Sequence, residues 1–403
     1  MPLRNLGLSI VLVVLPVMLP SLALAAPKPH PLELLSSEAL RKLAPVLRGG
    51  GDLALIESTD KGALKQITCV TLVAAPADQV REAVIHPEKY GDFVRNMKES
   101  VVTPEPGGTM KHQYTVSYGI YTVEGRHRFV LLPKQHDDEP APVQMYDPDD
   151  NGVRNYQWQF VPVPEYGATV LVLYGYTEIP RDTFLNRFLV AAKPLEHGLA
   201  LITQMTLVLS MKQRGEELAG HPALKTVVGA RGSYSSLLER GTVALFRTTA
   251  GRLSDLSLID RTSARPDQML KSVSEPGNWS QFVPTISRST NVTAGGNAGV
   301  EIEQSLPLVS WTTAYAYRND LTSADMFALS GDLKGGRLRW DVRSLGTRTE
   351  VVLRLMQHYD AGSIVVRQLY KLEPFFEYGI NVGLGLVLLE GVRSRAEEQS
   401  RKP

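Results

Sequence analysis

Eight histidines, one cysteine and a few recurring acidic and aromatic positions are the residues of this 403-residue chain that could do chemistry. His127 stands between Arg126 and Arg128 in a strand-like run, so alternation turns its ring away from both guanidinium groups. Facing inward, it would be a polar group in a cavity or a strand histidine with its partners met; the general pairing of buried polar groups favours the second. His197 and Tyr378 occupy matching places before two apolar helical runs and could meet a ligand headgroup; as amphipathic residues at a helix bend they need no ligand. Asp78-Gln79 and Asp267-Gln268 also recur, and an acidic residue in a first helical turn is explained by the helix dipole. Tyr90/Trp279 and Phe93/Phe282 are paired aromatics that would form a lip at a cavity mouth, touching membrane or ligand, or simply fill a core. No HExxH, GxSxG or Walker-type loop occurs in the sequence. The solitary Cys69 excludes an internal disulfide, a CxxC pair and a cysteine zinc cage.

A formal net charge of +1, from 43 basic and 42 acidic residues, gives no sign of the basic surface that non-specific nucleic-acid binding needs. Arg4, the uncharged run from Leu6 to Ala26 and the closing Ala23-Leu24-Ala25 read as a signal peptide cleaved after Ala25. Pro16 and Pro20 disfavour a retained spanning helix. The expected location is therefore outside the cytoplasm, in a bacterial periplasm.

The matching positions above belong to a duplication. Asp78 to Val94 repeats as Asp267 to Val283 at an offset of 189. Gly51-Asp52-Leu53-Ala54 repeats as Gly241-Thr242-Val243-Ala244, and Glu196-His197-Gly198-Leu199 as Glu377-Tyr378-Gly379-Ile380. A period near 190 residues is a whole domain and far exceeds a solenoid repeat. The expected division is a signal peptide over 1–25, then domains over 26–221 and 222–403. Ala219-Gly220-His221-Pro222 is the expected hinge, and no sheet should run through both halves.

Each unit is expected to open with an amphipathic helix, Pro31 to Leu47 and Pro222 to Leu238. Strands follow at Leu53 to Glu57 and Leu64 to Val73, then a helix begun by Ala75-Pro76-Ala77-Asp78. A long meander includes His112 to Tyr118, Tyr121 to Leu132, Tyr156 to Pro162 and Thr169 to Thr177. Alternation over Glu350 to Leu355 puts Val351, Leu353 and Leu355 on a dry face and leaves the other face wet. A long helix closes each unit, roughly Asp182 to Leu218 and Ser363 to Glu398. Its apolar run of about 14 residues is short of the roughly 20 needed to span a bilayer. Gly198, Gly379, Gly383 and Gly385 are expected to let these helices approach the sheet.

This order resembles the helix-grip fold of the START/polyketide-cyclase superfamily. The carrying residues are Ala75-Pro76-Ala77-Asp78-Gln79-Val80, Pro87-Glu88-Lys89-Tyr90-Gly91-Asp92-Phe93-Val94 and Trp279-Ser280-Gln281-Phe282-Val283-Pro284. The nearest likeness is to the coenzyme-Q-binding-protein branch. The resemblance implies an α+β chain of two tandem domains, each a curved antiparallel sheet wrapped around a long C-terminal helix. It also implies an apolar cavity for a lipid, quinone or sterol. Candidate cavity residues are Tyr90, Phe93, His197, Leu201, Met205 and Val208 in the first copy. Their second-copy counterparts are Trp279, Phe282, Tyr378, Leu384, Val387 and Leu388. With no catalytic constellation and neither metal nor cofactor expected, binding or transfer is preferred, with transient membrane contact. A cyclase or isomerase and a ligand-free scaffold are the alternatives.

Overall fold

The computed structural model describes residues 30–401 except 107, 118–121, 148–153, 178–192, 226, 228–231, 250–251, 307–308, 357–366 and 368–375. The expected signal peptide and the first parts of both expected terminal helices lie outside the described residues. Among those described, no helix is long and apolar enough to cross a membrane.

The first half supplies strands β1 Asp52–Ser58, β2 Leu64–Val73, β3 Met97–Pro104, β4 Met110–Ser117, β5 Thr122–Leu131, β6 Val143–Tyr146, β7 Arg154–Val163 and β8 Ala168–Thr177. The second supplies β9 Thr242–Thr249, β10 Arg252–Thr262, β11 Ile286–Ala294, β12 Asn297–Leu306, β13 Val309–Asn319, β14 Ser323–Gly331, β15 Arg337–Leu345 and β16 Arg348–Met356. Lateral order is β1-β2-β8-β7-β6-β5-β4-β3 in one half and β9-β10-β16-β15-β14-β13-β12-β11 in the other. Strand for strand these are the same, and every pairing is antiparallel. The terminal helices α5 (Lys193–Leu218) and α7 (Phe376–Arg401) lie against β2 and β8, and against β10 and β16. The chain therefore has the expected α+β architecture, with the helix-grip order twice.

The halves do not have separate sheets. β1 pairs with β9, so one sheet runs through both, against expectation. Ala54 lies opposite Ala244, its own counterpart in the duplication, which places a local two-fold axis between them. A Cβ on Gly51 would fall 2.0 Å from the Phe246 carbonyl oxygen, and one on Gly241 would fall 2.2 Å from that of Ile56. These glycines are counterparts, and so are Ile56 and Phe246; no side chain fits at either end of the seam. The helices cross on the same axis. A Cβ on Gly198 would fall 2.2 Å from the Gly379 carbonyl oxygen, and Gly383 stacks over Leu195. Three of the four helix glycines thus admit the other helix. Only Gly385 admits the sheet, at Leu258 and Leu355.

Elsewhere local chemistry sets the elements. Pro76 precedes α3 (Ala77–Val84), with Asp78 in the first turn and Val80, Ala83 and Val84 buried. The opening helix is split into α1 (Ser37–Arg41) and α2 (Ala44–Gly50), with Pro45 in the first turn of α2. In the second copy the described residues show only a 3₁₀ turn at Leu237–Glu239. Val351, Leu353 and Leu355 are buried on the inner face as the alternation predicts. The outer face is not wet near the seam. Leu40, Leu43, Leu237 and Leu238 cover Leu53, Val243, Ile259 and Val352 there, making a second core behind the sheet. After α5 the chain turns through Gly220 and His221, both at positive φ.

Candidate ligand-binding interior

The inner faces can be matched by following the register outward from Ala54 and Ala244. One row in the first half is Ile56, Ile67, Gly175, Tyr156, Met145 and Phe129. Its counterpart is Phe246, Leu256, Leu355, Leu338, Met326 and Tyr317. On the outer strands His112 faces His127 and Tyr114 faces Gly125; Val300 and Tyr315, then Ile302 and Thr313, stand in those places.

In the second half a cavity of about 20 Å³ lies between α7 and the sheet, room for about one water. Leu384 and Leu388 line it from the helix, Trp279, Ile302, Tyr315 and Leu338 from the opposite side. Val387 is buried but turned away from it, as the helical period requires of part of that run.

The first interior is the more polar of the two, although Gln304 and Tyr315 also line the cavity of the second. His112 and His127 are 2% and 5% exposed. Burial pulls His112 down to about 4 and His127 to about 3, so both are neutral at pH 7. The Ser100 hydroxyl donates to the Pro87 carbonyl, and Ser100 Oγ lies 2.8 Å from His112 Nε2. That nitrogen must therefore carry the proton, leaving Nδ1 a bare acceptor. His112 Nδ1 and His127 Nε2 find no partner among the described residues. His112, Tyr114, His127 and Tyr156 are linked by ring contacts of 5.1 to 5.5 Å. Gln204 of α5 closes the cluster over Gly175, where a Cβ would fall 2.6 Å from its Cδ and 2.7 Å from Tyr156. Its Oε1 faces the Cys69 thiol at 4.0 Å, and burial pushes that thiol's pKa up, so the S–H donates. The Gln204 Nε2 is left without a partner among the described residues. The indoles of Trp158 and Trp340, counterparts one strand apart from Leu173 and Leu353, also lack an Nε1 partner there.

The expected site residues divide. Leu201, Met205 and Val208 are fully buried on α5 in the core. Tyr90 and Trp279 are 2% and 1% exposed, their polar tips donating to Val84 and Ser272 carbonyls. They are core, not lip. Phe93 and Phe282 are half-buried, Phe93 beneath the Arg214 guanidinium at 5.8 Å. Tyr378 packs on Phe246 at 5.2 Å, beneath the seam. His197 is buried at the helix crossing's start, held down to about 4 by burial, with Nε2 lacking a partner among the described residues. The expectation that His127 is a satisfied strand histidine is not met at Nε2 among the described residues. His112, Trp158 and Gln204 were not singled out, although aligning the two copies in register would have exposed them. The wider cleft of about 370 Å³ lies elsewhere, by Asp78, Lys134 and Asp137 to Glu139, and its charged walls do not suit an apolar ligand.

Residues 262–372 match the family described as polyketide cyclase / dehydrase and lipid transport. The match lies within the second half and is a likeness to that family over those residues. Solved structures similar to it include the di-domain ARO/CYC StfQ of the steffimycin biosynthetic pathway, at 12% identity and a TM-score of 0.29, covering 82% of this chain and 98% of that one. A STAR-related lipid transfer protein from Xanthomonas axonopodis is similar at 13% identity and a TM-score of 0.31, covering 39% and 93%. A START superfamily protein from Mycobacterium smegmatis is similar at 15% and 0.28, covering 36% and 98%. No curated protein matches significantly.

Proposed function

We propose that the chain binds and carries a hydrophobic small molecule between a terminal helix and the sheet, in one or both halves. The observation that supports this best is the internal space of the second half, walled by Leu384 and Leu388 of the helix, by Trp279, and by Ile302, Tyr315 and Leu338 of the sheet. At about 20 Å³ it must widen to admit such a ligand. Apolar walls with a few convergent polar groups favour a hydrophobic ligand over a charged one. A lipid, a sterol or a quinone of the coenzyme-Q class fits that chemistry, and transfer would involve transient membrane contact. The proposal includes export, with the mature protein starting at Ala26, and domains over 26–221 and 222–403. Intact-mass measurement of the protein from its host tests the start; a retained full-length chain would count against it.

A panel of lipids, quinones and sterols in a thermal-shift assay tests binding, because a ligand of the folded state raises its stability by mass action. A concentration-dependent rise with at least one class is expected. If none shifts the protein or displaces a fluorescent lipid, the carrier reading fails and a ligand-free scaffold takes its place. The neutral imidazoles of His112 and His127 favour a second reading, a cyclase or isomerase, since a neutral imidazole can take or give a proton.

A further inference from the structure

We propose that the outer sheet face of the second half, formed by β13 to β16, docks on an anionic lipid bilayer. This rests on the reading of the chain as a carrier that meets membranes, and it names the surface that meets them. The two copies treat the same face in opposite ways. In the first half it is a core: Val161, Val163, Val170 and Val172 pack beneath Leu40 and Leu43 of the opening helices. Residues 30–35 run along its far side as a strap held by neutral side chains. The Asn155 amide donates to the His30 carbonyl at 2.6 Å, Gln66 Oε1 accepts from the Glu33 N–H at 2.8 Å, and the Tyr174 hydroxyl accepts from the Leu35 N–H at 3.1 Å. In the second half the register puts Arg337, Arg343 and Arg354 at the places of Asn155, Val161 and Tyr174, and Asp255 at that of Gln66. The amides that hold an extended strap are gone. The residues matching the first opening helix lie elsewhere, Leu237 and Leu238 over the seam and Lys225 with its N–H on the Tyr166 carbonyl of the first half.

Charge and apolar exposure coincide on the face left bare. Residues 26–221 carry 20 basic and 24 acidic side chains, net −4, and residues 222–403 carry 22 and 18, net +4. Alternation turns six arginines outward on β13 to β16 (Arg318, Arg337, Arg339, Arg343, Arg348 and Arg354) against three carboxylates, Asp325, Asp341 and Glu350. The face is therefore net +3, and Asp325 and Asp341 anchor Arg337, Arg339 and Arg354 in place. Of the eight large apolar side chains exposed among the described residues, five lie on these strands or the turns joining them: Leu321, Phe327, Leu329, Leu345 and Met356. Leu321, at the β13–β14 turn, is 95% exposed. The Arg337 guanidinium sits 4.7 Å over the Phe327 ring, the pairing of a cation with an apolar stem that suits a lipid headgroup boundary. A solvated sheet face accounts for the arginines and leaves the clustered apolar side chains unexplained. The two cavities of the molecule lie elsewhere, and Arg337 to Leu345 spans about 26 Å of strand. Interleaved cations and apolar groups over that length, with no pocket, match a surface better than a segment of chain. The opposite charges of the halves would turn this face toward an anionic bilayer during approach.

Cosedimentation of the full chain with vesicles tests this, comparing POPC with POPC containing about 30% POPG. One basic residue near an anionic surface is worth about fivefold, so net +3 sets a ceiling of about a hundredfold, and at least about tenfold stronger partition onto POPG vesicles is expected. Sodium chloride at about 500 mM should remove most of that gain. Arg318→Gln with Arg343→Gln should lower partition at least about tenfold, and Leu321→Ser with Leu345→Ser at least about threefold, with melting temperatures unchanged because all four side chains are exposed. Lys98→Gln with Lys134→Gln removes the same charge from exposed sites of the first half and should leave partition within about twofold. Equal partition onto the two vesicles, or equal losses from the two charge pairs, would overturn the proposal. Binding to polyglutamate without binding to POPG vesicles would also overturn it, in favour of an acidic polypeptide. None of these results touches the carrier reading, which stands or falls on the thermal shift with lipids, quinones and sterols.

Discussion

Replacing Gly198 by alanine should destabilise the protein, although alanine is the better helix former by about 1 kcal/mol. The added Cβ would fall 2.2 Å from the Gly379 carbonyl oxygen and 2.9 Å from the Gly383 Cα. Both are backbone of α7, so no side chain can rotate away, and the helices must part by about 1 Å to reach ordinary contact. Overpacking of this kind costs about 1–3 kcal/mol, and rigid backbone on both sides puts it at the upper end. The net loss is about 2 kcal/mol. Gly49→Ala in α2 is the control of opposite sign, since nothing lies within 4 Å of its added Cβ. Urea unfolding followed by tryptophan fluorescence would show Gly198→Ala moved to lower urea and Gly49→Ala unmoved or moved higher. If Gly198→Ala proves as stable as the parent, the helices do not cross at the glycines and the seam is misplaced.

The remaining predictions concern acid, the seam and a buried pair. His112, His127 and His197 have folded pKa values below the 6.5 of the unfolded chain, so between about pH 6.5 and 4 the unfolded state binds more protons and stability falls as pH falls. His112 alone should contribute a loss of about 3 kcal/mol by pH 4. Denaturant midpoints across that range would show the slope, and His127→Tyr, the residue of the second copy, should flatten it. Proteolysis at 219–223 should give two fragments that stay together in native mass spectrometry, because β1–β9 pairing and the helix crossing hold them; separation on nicking would contradict the shared sheet. Asp52 is buried and holds Lys212 at 2.9 Å and the Thr71 hydroxyl. Asp52→Ala should cost about 3 kcal/mol in chemical unfolding, by leaving the ammonium unpaired at the helix–sheet boundary.

Most of the single-copy fold was legible in the residues. β2 is found at Leu64–Val73, where β-branched residues crowd, and the meander strands fall within two residues of their expected ends. Two things were not legible. The seam depends on pairing between strands of different copies, which no local pattern encodes; the one trace is a glycine ahead of both β1 and β9, Gly51 and Gly241. The outer core likewise escaped a reading that expected one wet face, although Val352 and Ile259 break the alternation and mark it. At the site, burial of Leu201, Met205 and Leu384 follows from helical apolarity. The polar cluster does not, because His112, Tyr156 and Gln204 come together only once strand order and register are known.

The central claim is that this interior holds a hydrophobic small molecule. Native mass spectrometry of protein purified from its own host, followed by organic extraction and identification of the released compound, tests it most directly. An uncharged, largely apolar molecule bound at one or two per chain is the expected result. Protein that carries no such molecule, and takes up none when incubated with a total lipid extract of its host, would contradict it.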